Sequence, residues 1–373
     1  MTENLYRRLQ QQLDQYALGF PPADSGVEIR ILREMFTAEE ADLFTSLTAE
    51  LETPAAVAAR LGLPVAEIAG RLEDMAGKGL LFRIRKGEAV EYSAIPFIHG
   101  LVEFQVNRLS RDTVRKVGEY IKERFGRSMS ERIDSFLRTV PVGRAIDPTR
   151  FVAAFDDARE ILKSQELIVV TDCACRKQTA MFGKACDKPL EVCFMFGPMG
   201  RYYIDNGLGR EIGLDEALAL LTKAQEAGLV TQPASAERPF TMCSCCGDCC
   251  GFLRTLNRHP KPAELVLSNY AAVIDRDLCT GCETCLGRCQ TRAVKMEADG
   301  LAAIDPDRCI GCGLCATACP SEAIRLVPKP ESQWRRPVRD TREQMVELAR
   351  RRGLDAGDPA GIVSFGMEEK TGI

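Results

Sequence analysis

Histidine is scarce in this chain: His99 and His259 are the only two among 373 residues. A large metal inventory would therefore have to rest on some other ligand. No run of 18 apolar residues occurs, which excludes a membrane-spanning helix of ordinary length. Positive charge is not in excess either. The formal net charge is −4, so the chain as a whole is no obvious polyanion binder. A glycine-rich nucleotide fingerprint is missing: GLGREIG at 207–213 precedes a helical pattern but follows no proper strand, and its spacing is wrong. A bound flavin or nicotinamide thus has no support. The N-terminal stretch MTENLYRRLQQQLDQYALGF has no apolar core of signal-peptide length, and the polar LQQQLDQ after Arg7-Arg8 argues against a twin-arginine signal. The expectation is a cytoplasmic chain, in which lasting disulfides do not persist.

What the chain has in excess is cysteine, 17 residues of it. Hydrophobic residues make up 45%, enough over this length for two or three domains with buried cores. The cysteines fall into three groups, and the one nearest the C-terminus repeats internally. IDRDLCTGCETCLGRCQTRAVKM (274–296) aligns with IDPDRCIGCGLCATACPSEAIRL (304–326), and each cysteine of the first has a counterpart 30 positions on. Each half reads as strand, cysteine loop, short helix, strand. The spacing C-x2-C-x2-C-x3-C, twice over, can wrap three corners of an iron–sulfur cubane and leaves the fourth to come from elsewhere.

Over about 60 residues this segment resembles the bacterial-type dicluster 4Fe–4S ferredoxin domain. In such domains the last cysteine of each run crosses to the other cluster. The resemblance implies one cluster on Cys279, Cys282, Cys285 and Cys319, and another on Cys309, Cys312, Cys315 and Cys289. Gly281 and Gly311 fit the same pattern, as residues that let backbone approach cluster sulfur. Cys319 is followed by the expected Pro320 but Cys289 by Gln290, which adds an N–H that could reach a cluster sulfur. Zinc knuckles are the alternative reading of C-x2-C.

Upstream, TDCACRKQTAMFGKACDKPLEVCFMFG carries Cys173, Cys175, Cys186 and Cys193, with a buried strand, ELIVV, leading into it. Four thiolates over 21 positions could hold one cubane or one zinc, though C-x-C is unusual for a zinc knuckle. Arg176, Lys177, Lys184 and Lys188 lie among them and would lower the desolvation cost of an anionic cubane. The third group is FTMCSCCGDCCGF (240–252), where Cys243, Cys245, Cys246, Cys249 and Cys250 occupy eight positions. Five exceed what one cubane needs, so the expectation is a further cluster on four of them. Neighbours such as Cys245 and Cys246 cannot easily face one small cluster. One of each adjacent pair would then point away, or the two middle groups would combine around a larger assembly. The repeated Cys-Cys-Gly resembles the cysteine-rich modules of disulfide-reducing subunits, which keeps a redox-active thiol site open. His259 sits beside prolines and is left out as a ligand.

The N-terminal third has another rhythm. Thr37 with Glu40 forms a capping box, Thr53-Pro54 opens a second helix that Gly62 stops, and PVAEIAGRLEDMAGKG reads as a third. LLFRIR, KGE and AVEYSAI then read as strand, turn, strand. Three helices and a hairpin resemble a winged helix-turn-helix domain. From Val27 to Gly100 there are eight Lys and Arg against twelve Asp and Glu, and the third helix has net charge −1 from Glu67, Arg71, Glu73, Asp74 and Lys78. Positive charge for approaching phosphate is confined to Arg83, Arg85 and Lys86 of the hairpin, so docking to a protein is expected before nucleic acid.

The expected organisation is α+β and multidomain. A helix and winged-helix-like domain (1–97) leads to a helical connector (98–166) and a cysteine-rich α/β domain (167–265). A dicluster ferredoxin domain of βαβ repeats (266–330) and a C-terminal arm (331–373) with a charged helix from about 339 to 352 complete it. The whole resembles a group of multi-cysteine, ferredoxin-domain proteins of anaerobic bacteria. That resemblance implies an electron carrier or oxidoreductase subunit with two to four 4Fe–4S clusters, working with protein donors and acceptors. The alternatives are an oxidoreductase whose middle cysteines act on a disulfide or thiol, and a redox-responsive regulator.

Overall fold

The computed structural model describes residues 2–130, 136–146 and 152–354. Parts of the expected connector (131–135 and 147–151) and of the C-terminal arm (355–373) lie outside the described residues. The chain divides into two compact units. One comprises residues 1–132, 197–210 and 340–373, the other 133–196 and 211–339.

In the first unit, α1 (Thr2–Leu13) and α2 (Val27–Met35) precede a helical trio, α3 (Ala38–Thr45), α4 (Pro54–Leu61) and α5 (Val65–Gly77). Local chemistry sets their ends. The Thr37 hydroxyl accepts from the Glu40 N–H while the Glu40 carboxylate accepts from the Thr37 N–H, a complete capping box. Thr53 caps α4, Pro54 fills its first turn, and left-handed Gly62 ends it. Ile68, Leu72 and Met75 bury one side of α5. Strands β1 (Phe82–Lys86) and β2 (Ala89–Ser93) form the antiparallel hairpin, with Phe82 opposite Ser93. The helix Gly197–Asp205 belongs here too: the Tyr202 ring lies 4.3 Å from Phe104 and 5.2 Å from Phe82, and its hydroxyl donates to the Ala76 carbonyl.

The helical connector expected over 98–166 is irregular at its start. Ile98 is extended and His99 left-handed, and residues 97–101 are buried on every side, which an amphipathic surface helix would not be. Regular helix resumes with α6 (Arg111–Tyr120), capped by Ser110.

In the second unit, residues 136–146 are largely extended where helix was expected. Thr139, Val140, Pro141 and Val142 disfavour helix, and the segment finds its hydrogen bonds elsewhere. Val140 bridges to Thr231, Arg138 to Leu267, and Ile146 to Leu326. Beyond it come α7 (Ala158–Lys163), β3 (Ile168–Asp172), α8 (Ala174–Ala180), β4 (Glu191–Phe196), α9 (Leu214–Glu226), β5 (Val230–Pro233) and β6 (Thr241–Cys245). The strands lie in the order β3-β4-β6-β5, antiparallel throughout. Ile168 and Val170 of β3, Phe194 and Phe196 of β4 and Met242 of β6 join Ile161, Leu162 and Leu221 in one apolar core. Side chains alternate along a strand, so Cys193, Cys243 and Cys245 belong to the opposite face. Helix α10 (Gly251–Arg258) follows the cysteine loop.

The repeat segment opens with β7 (Tyr270–Ile274) and α11 (Thr284–Arg288), then β8 (Val294–Met296), β9 (Ala302–Ile304) and, last, β10 (Ile324–Pro328). Strand β7 pairs antiparallel with β10, and β8 with β9, so first and last strands close the two halves on each other.

One buried ion pair anchors this unit. Arg138 and Asp156 are 0% and 1% exposed and lie 3.3 Å apart, and Asn269 donates to the second carboxylate oxygen at 2.8 Å. Burial lowers the Arg138 pKa to about 10 and raises that of Asp156. Removing one partner strands the other charge, so Asp156→Ala should cost about 3–5 kcal/mol. Urea unfolding followed by circular dichroism checks this, and a cost below about 1 kcal/mol would mean that the pair does not anchor the unit.

Candidate metal centre

The loops of the repeat segment carry their cysteines in two electrostatic neighbourhoods. The Cys285 thiol is raised by burial and, after it, by Cys282, Cys319 and Cys279. The Cys315 thiol is raised by burial and then by Cys312, Cys309 and Cys289. The two neighbourhoods differ in access: Cys282 is exposed, whereas Cys309 and Cys315 are buried. Burial pushes the Cys312 thiol up to about 12, with Cys289 and Cys309 adding to the effect after local backbone N–H groups oppose it. Thiols raised in this way hold their protons, and binding a metal must release them.

Gly281 and Gly311 both adopt φ +67°, and a Cβ on either would run into a carbonyl oxygen, that of Gly300 or of Tyr270. A left-handed turn against neighbouring backbone is thus itself a reason for glycine at both positions. Donors to sulfur are present as well: the Ala293 N–H reaches Cys289 Sγ at 3.1 Å.

All nine middle cysteines are brought into this one unit, and the two middle groups mix, which is the combined arrangement the sequence left open beside a separate cluster for each. Cys173 contacts Cys175 and Cys193; Cys193 contacts Cys243; Cys243 contacts Cys245; Cys245 contacts Cys250; and Cys250 contacts Cys175. Six thiols therefore close a ring. The other three gather separately, with Cys186 Sγ 3.6 Å from Cys246 Sγ and 3.7 Å from Cys249 Sγ. The loop at 243–250 does not form one four-cysteine group. It is shared: Cys245 and Cys250 face the ring, while Cys246 and Cys249 face Cys186.

The elements explain the ring. Cys193 stands on β4, Cys243 and Cys245 on β6, and all three belong to the face opposite the apolar core. Cys173 caps α8, with Cys175 in its first turn, and Cys250 caps α10. The Cys173 and Cys250 thiols are pulled well below the ordinary value by contacts with Cys175 and Cys193, and with Cys175 and Cys245. Cys175, Cys193 and Cys245 are pushed well above it by those same neighbours and by burial. Contact among the thiols thus favours the thiolate at Cys173 and Cys250 and the protonated thiol at their neighbours.

Arg176 supplies the counter-charge. It is 2% exposed, and no carboxylate pairs with it among the described residues. Its guanidinium donates to the Ser244 carbonyl at 2.7 Å and to the Pro189 carbonyl, and its charge acts on Cys173, Cys193, Cys246 and Cys245. Its buried Nε has no partner. A buried guanidinium without a carboxylate is stabilised by negative charge close by, and the surrounding thiols are the groups able to supply it. That observation fits the ring to an anionic metal–thiolate group. The lysines of the same stretch turn elsewhere: Lys177 pairs with Asp172 at 3.2 Å and Lys188 with Asp248 at 3.8 Å. His259 is engaged in a turn, its Nδ1 accepting from the Lys261 N–H.

Gln290, the residue in the usual proline position, links the cysteine loop to the repeat segment. Its side-chain oxygen accepts from the Gly247 N–H at 2.8 Å, and its carbonyl accepts from Asn257 at 2.9 Å. Arg288 adds bonds to the Gln225 and Glu226 carbonyls. The sequence suggested an extra N–H there; the side-chain acceptor and the role of Gly247 were not apparent, because the partner lies 43 residues away.

Comparison with known families assigns residues 272–326 to the 4Fe–4S dicluster domain. This segment is an iron–sulfur, ferredoxin-type domain. No curated protein and no solved structure matches the chain.

Two substitutions test the link. A Cβ at Gly247 would lie 2.7 Å from the Gln290 carbonyl oxygen and 3.1 Å from Asn257. Gly247→Ala must therefore part the loop from the repeat segment. Gln290→Ala leaves the Gly247 N–H unmatched, at about 1–3 kcal/mol. Both should lower the thermal midpoint while iron on the dicluster segment stays unchanged. An unaltered midpoint in both would show that the contact carries no energy.

Proposed function

We propose that this protein, whose residues 272–326 form a 4Fe–4S dicluster domain, passes low-potential electrons between redox partners through a third iron–sulfur cluster held by the ring of six thiols. The buried Arg176, which pairs with no carboxylate among the described residues and whose charge acts on Cys173, Cys193, Cys245 and Cys246, is the observation that carries this reading. In the dicluster domain, Cys279, Cys282, Cys285 and Cys319 would hold one cubane, and Cys309, Cys312, Cys315 and Cys289 the other. When bound, such clusters supply one-electron chemistry at low potential. The chain's own residues do the rest: they bury, they donate to sulfur and they balance charge.

The order of the sites follows from exposure. Cys282 is exposed and Leu278, beside Cys279, is 51% exposed, which suits contact with a redox protein. The second cubane site lies deeper, and Gln290 joins Cys289 to the loop carrying Cys245 and Cys250. Electrons would pass from the surface cluster to the inner one and on to the ring.

Helices α3 to α5 with the β1–β2 hairpin serve, in this proposal, as a winged-helix-like module that docks a protein. Leu63 and Val65, at the turn into α5, are 38% and 51% exposed. Such residues suit an apolar partner better than phosphate. No helix among the described residues is long and apolar enough to cross a membrane. Anaerobic metabolism in the cytoplasm is the setting that low-potential clusters fit.

Metal analysis after anaerobic purification tests the count. About twelve iron and twelve sulfide per chain are expected, of which about eight belong to the dicluster domain. A value of about eight would leave the ring without a cluster. Arg176 offers a sharper test. A cation favours the state with the extra electron, so Arg176→Leu should lower the midpoint potential of the third cluster by on the order of 100 mV. Arg176→Lys should restore part of the shift. Redox titration followed by electron paramagnetic resonance reads both; a potential within about 20 mV of the parent's would dismiss the charge-balancing role.

A further inference from the structure

We propose that Cys186, Cys246 and Cys249 hold a single divalent ion of the zinc class, tetrahedrally, with its fourth position open to an outside ligand. The inference does not rest on the electron-transfer reading. It begins with spacing. A metal bound by thiolates at about 2.3 Å in a tetrahedron sets its sulfurs about 3.8 Å apart. Cys186 Sγ lies 3.6 Å from that of Cys246 and 3.7 Å from that of Cys249. Among the described residues, this is the one set of at least three cysteine, histidine or acidic groups whose ligand atoms all fall within 4.8 Å of one another. In a cubane each thiolate takes a different iron, so its sulfurs stand farther apart than the edge of a one-ion tetrahedron. The ring of six, in which no three sulfurs close up in this way, is the place for a polynuclear cluster.

The backbone agrees with the spacing. Cys246-Gly247-Asp248-Cys249 is a C-x2-C knuckle, and one helical turn closes it, the Cys250 N–H donating to the Cys246 carbonyl. The Cys186 N–H donates to Cys249 Sγ at 3.5 Å, the kind of outer bond that holds a ligating thiolate in place. Val192, Ala224 and Leu229 pack around the site and keep it dry on one side.

The open position follows from what is missing and what is engaged. A structural zinc site closes on four protein ligands, whereas three leave a place for water or substrate. Asp248, within the knuckle, is turned to Lys188 at 3.8 Å. Cys246 and Cys249 are 1% and 4% exposed, but Cys186 is partly exposed, so solvent reaches the site from its side. Three thiolates on a divalent ion carry one net negative charge, and Arg176 acts on Cys246 as well as on the ring.

The test uses the full chain, purified without oxygen, with zinc, iron and sulfide measured together. About one zinc per chain is expected beside the iron. Cys186→Ser and Cys249→Ser should each remove most of that zinc and leave iron and sulfide unchanged. Loss of about four iron and four sulfide in either variant would overturn the single-ion site. So would an unchanged metal content. Cobalt exchanged into the parent chain keeps the test independent of how the variants fold. It should give intense thiolate charge transfer and tetrahedral visible bands that shift when 2-mercaptoethanol is added. Bands that ignore the added thiol would overturn the open position, and failure of the chain to take up zinc or cobalt would overturn the site itself.

Discussion

A guanidinium buried among thiols is the interaction on which the rest of the metal-binding unit depends. Arg176 has lost its water, and no carboxylate replaces that water among the described residues. Such a cation is tolerable only where compensating negative charge is held close by. Cysteines are neutral at ordinary pH unless something draws the proton away, and Arg176 is placed to do so for the thiols of two groups at once. Cation and thiolates therefore stabilise one another, and each would be costly alone. A metal–thiolate group, as proposed, would resolve the arrangement by fixing the negative charge permanently.

Geometry then decides how nine thiols divide. Adjacent side chains of an extended strand face opposite ways, and a helical turn brings together residues three apart. Cys243 and Cys245 on β6 thus share a face with Cys193 on β4, while the turn after β6 turns Cys246 and Cys249 toward Cys186. The two doublets, Cys245-Cys246 and Cys249-Cys250, are not redundancy. Each doublet gives one thiol to the ring and one to the group around Cys186.

Much of this fold was legible in the sequence, and the parts that were not share a cause. The 30-residue repeat, the capping box at Thr37, the Thr53-Pro54 helix start and the β1–β2 hairpin all rest on neighbours a few positions apart. The family match over 272–326 agrees with the repeat. A combination of the two middle groups was open from the sequence, but the members of the ring could not be read, because it joins Cys173 to Cys193 and Cys175 to Cys250 through strand order and helix placement. Its local hint was the two-residue spacing of Cys243 and Cys245, which puts both on one face of a strand. Residues 136–146 carried a weak apolar pattern that suited a helix, yet their β-branched run and proline decided for extended structure once strand partners were available. Gln290 was visible as a departure from the usual proline, but its bond to Gly247 belongs to tertiary packing. For Gly281 and Gly311 the residue was anticipated, and the structure adds a reason: a carbonyl crowds each position.

The central claim is that the ring of six thiols is a cluster site electrically continuous with the dicluster domain. Electron paramagnetic resonance of the fully reduced chain, compared with Cys245→Ser, tests it most directly. The account predicts three interacting paramagnets in the parent chain, with split or broadened signals that simplify to a two-cluster spectrum in the variant. A two-cluster spectrum in both, identical in shape, would contradict it.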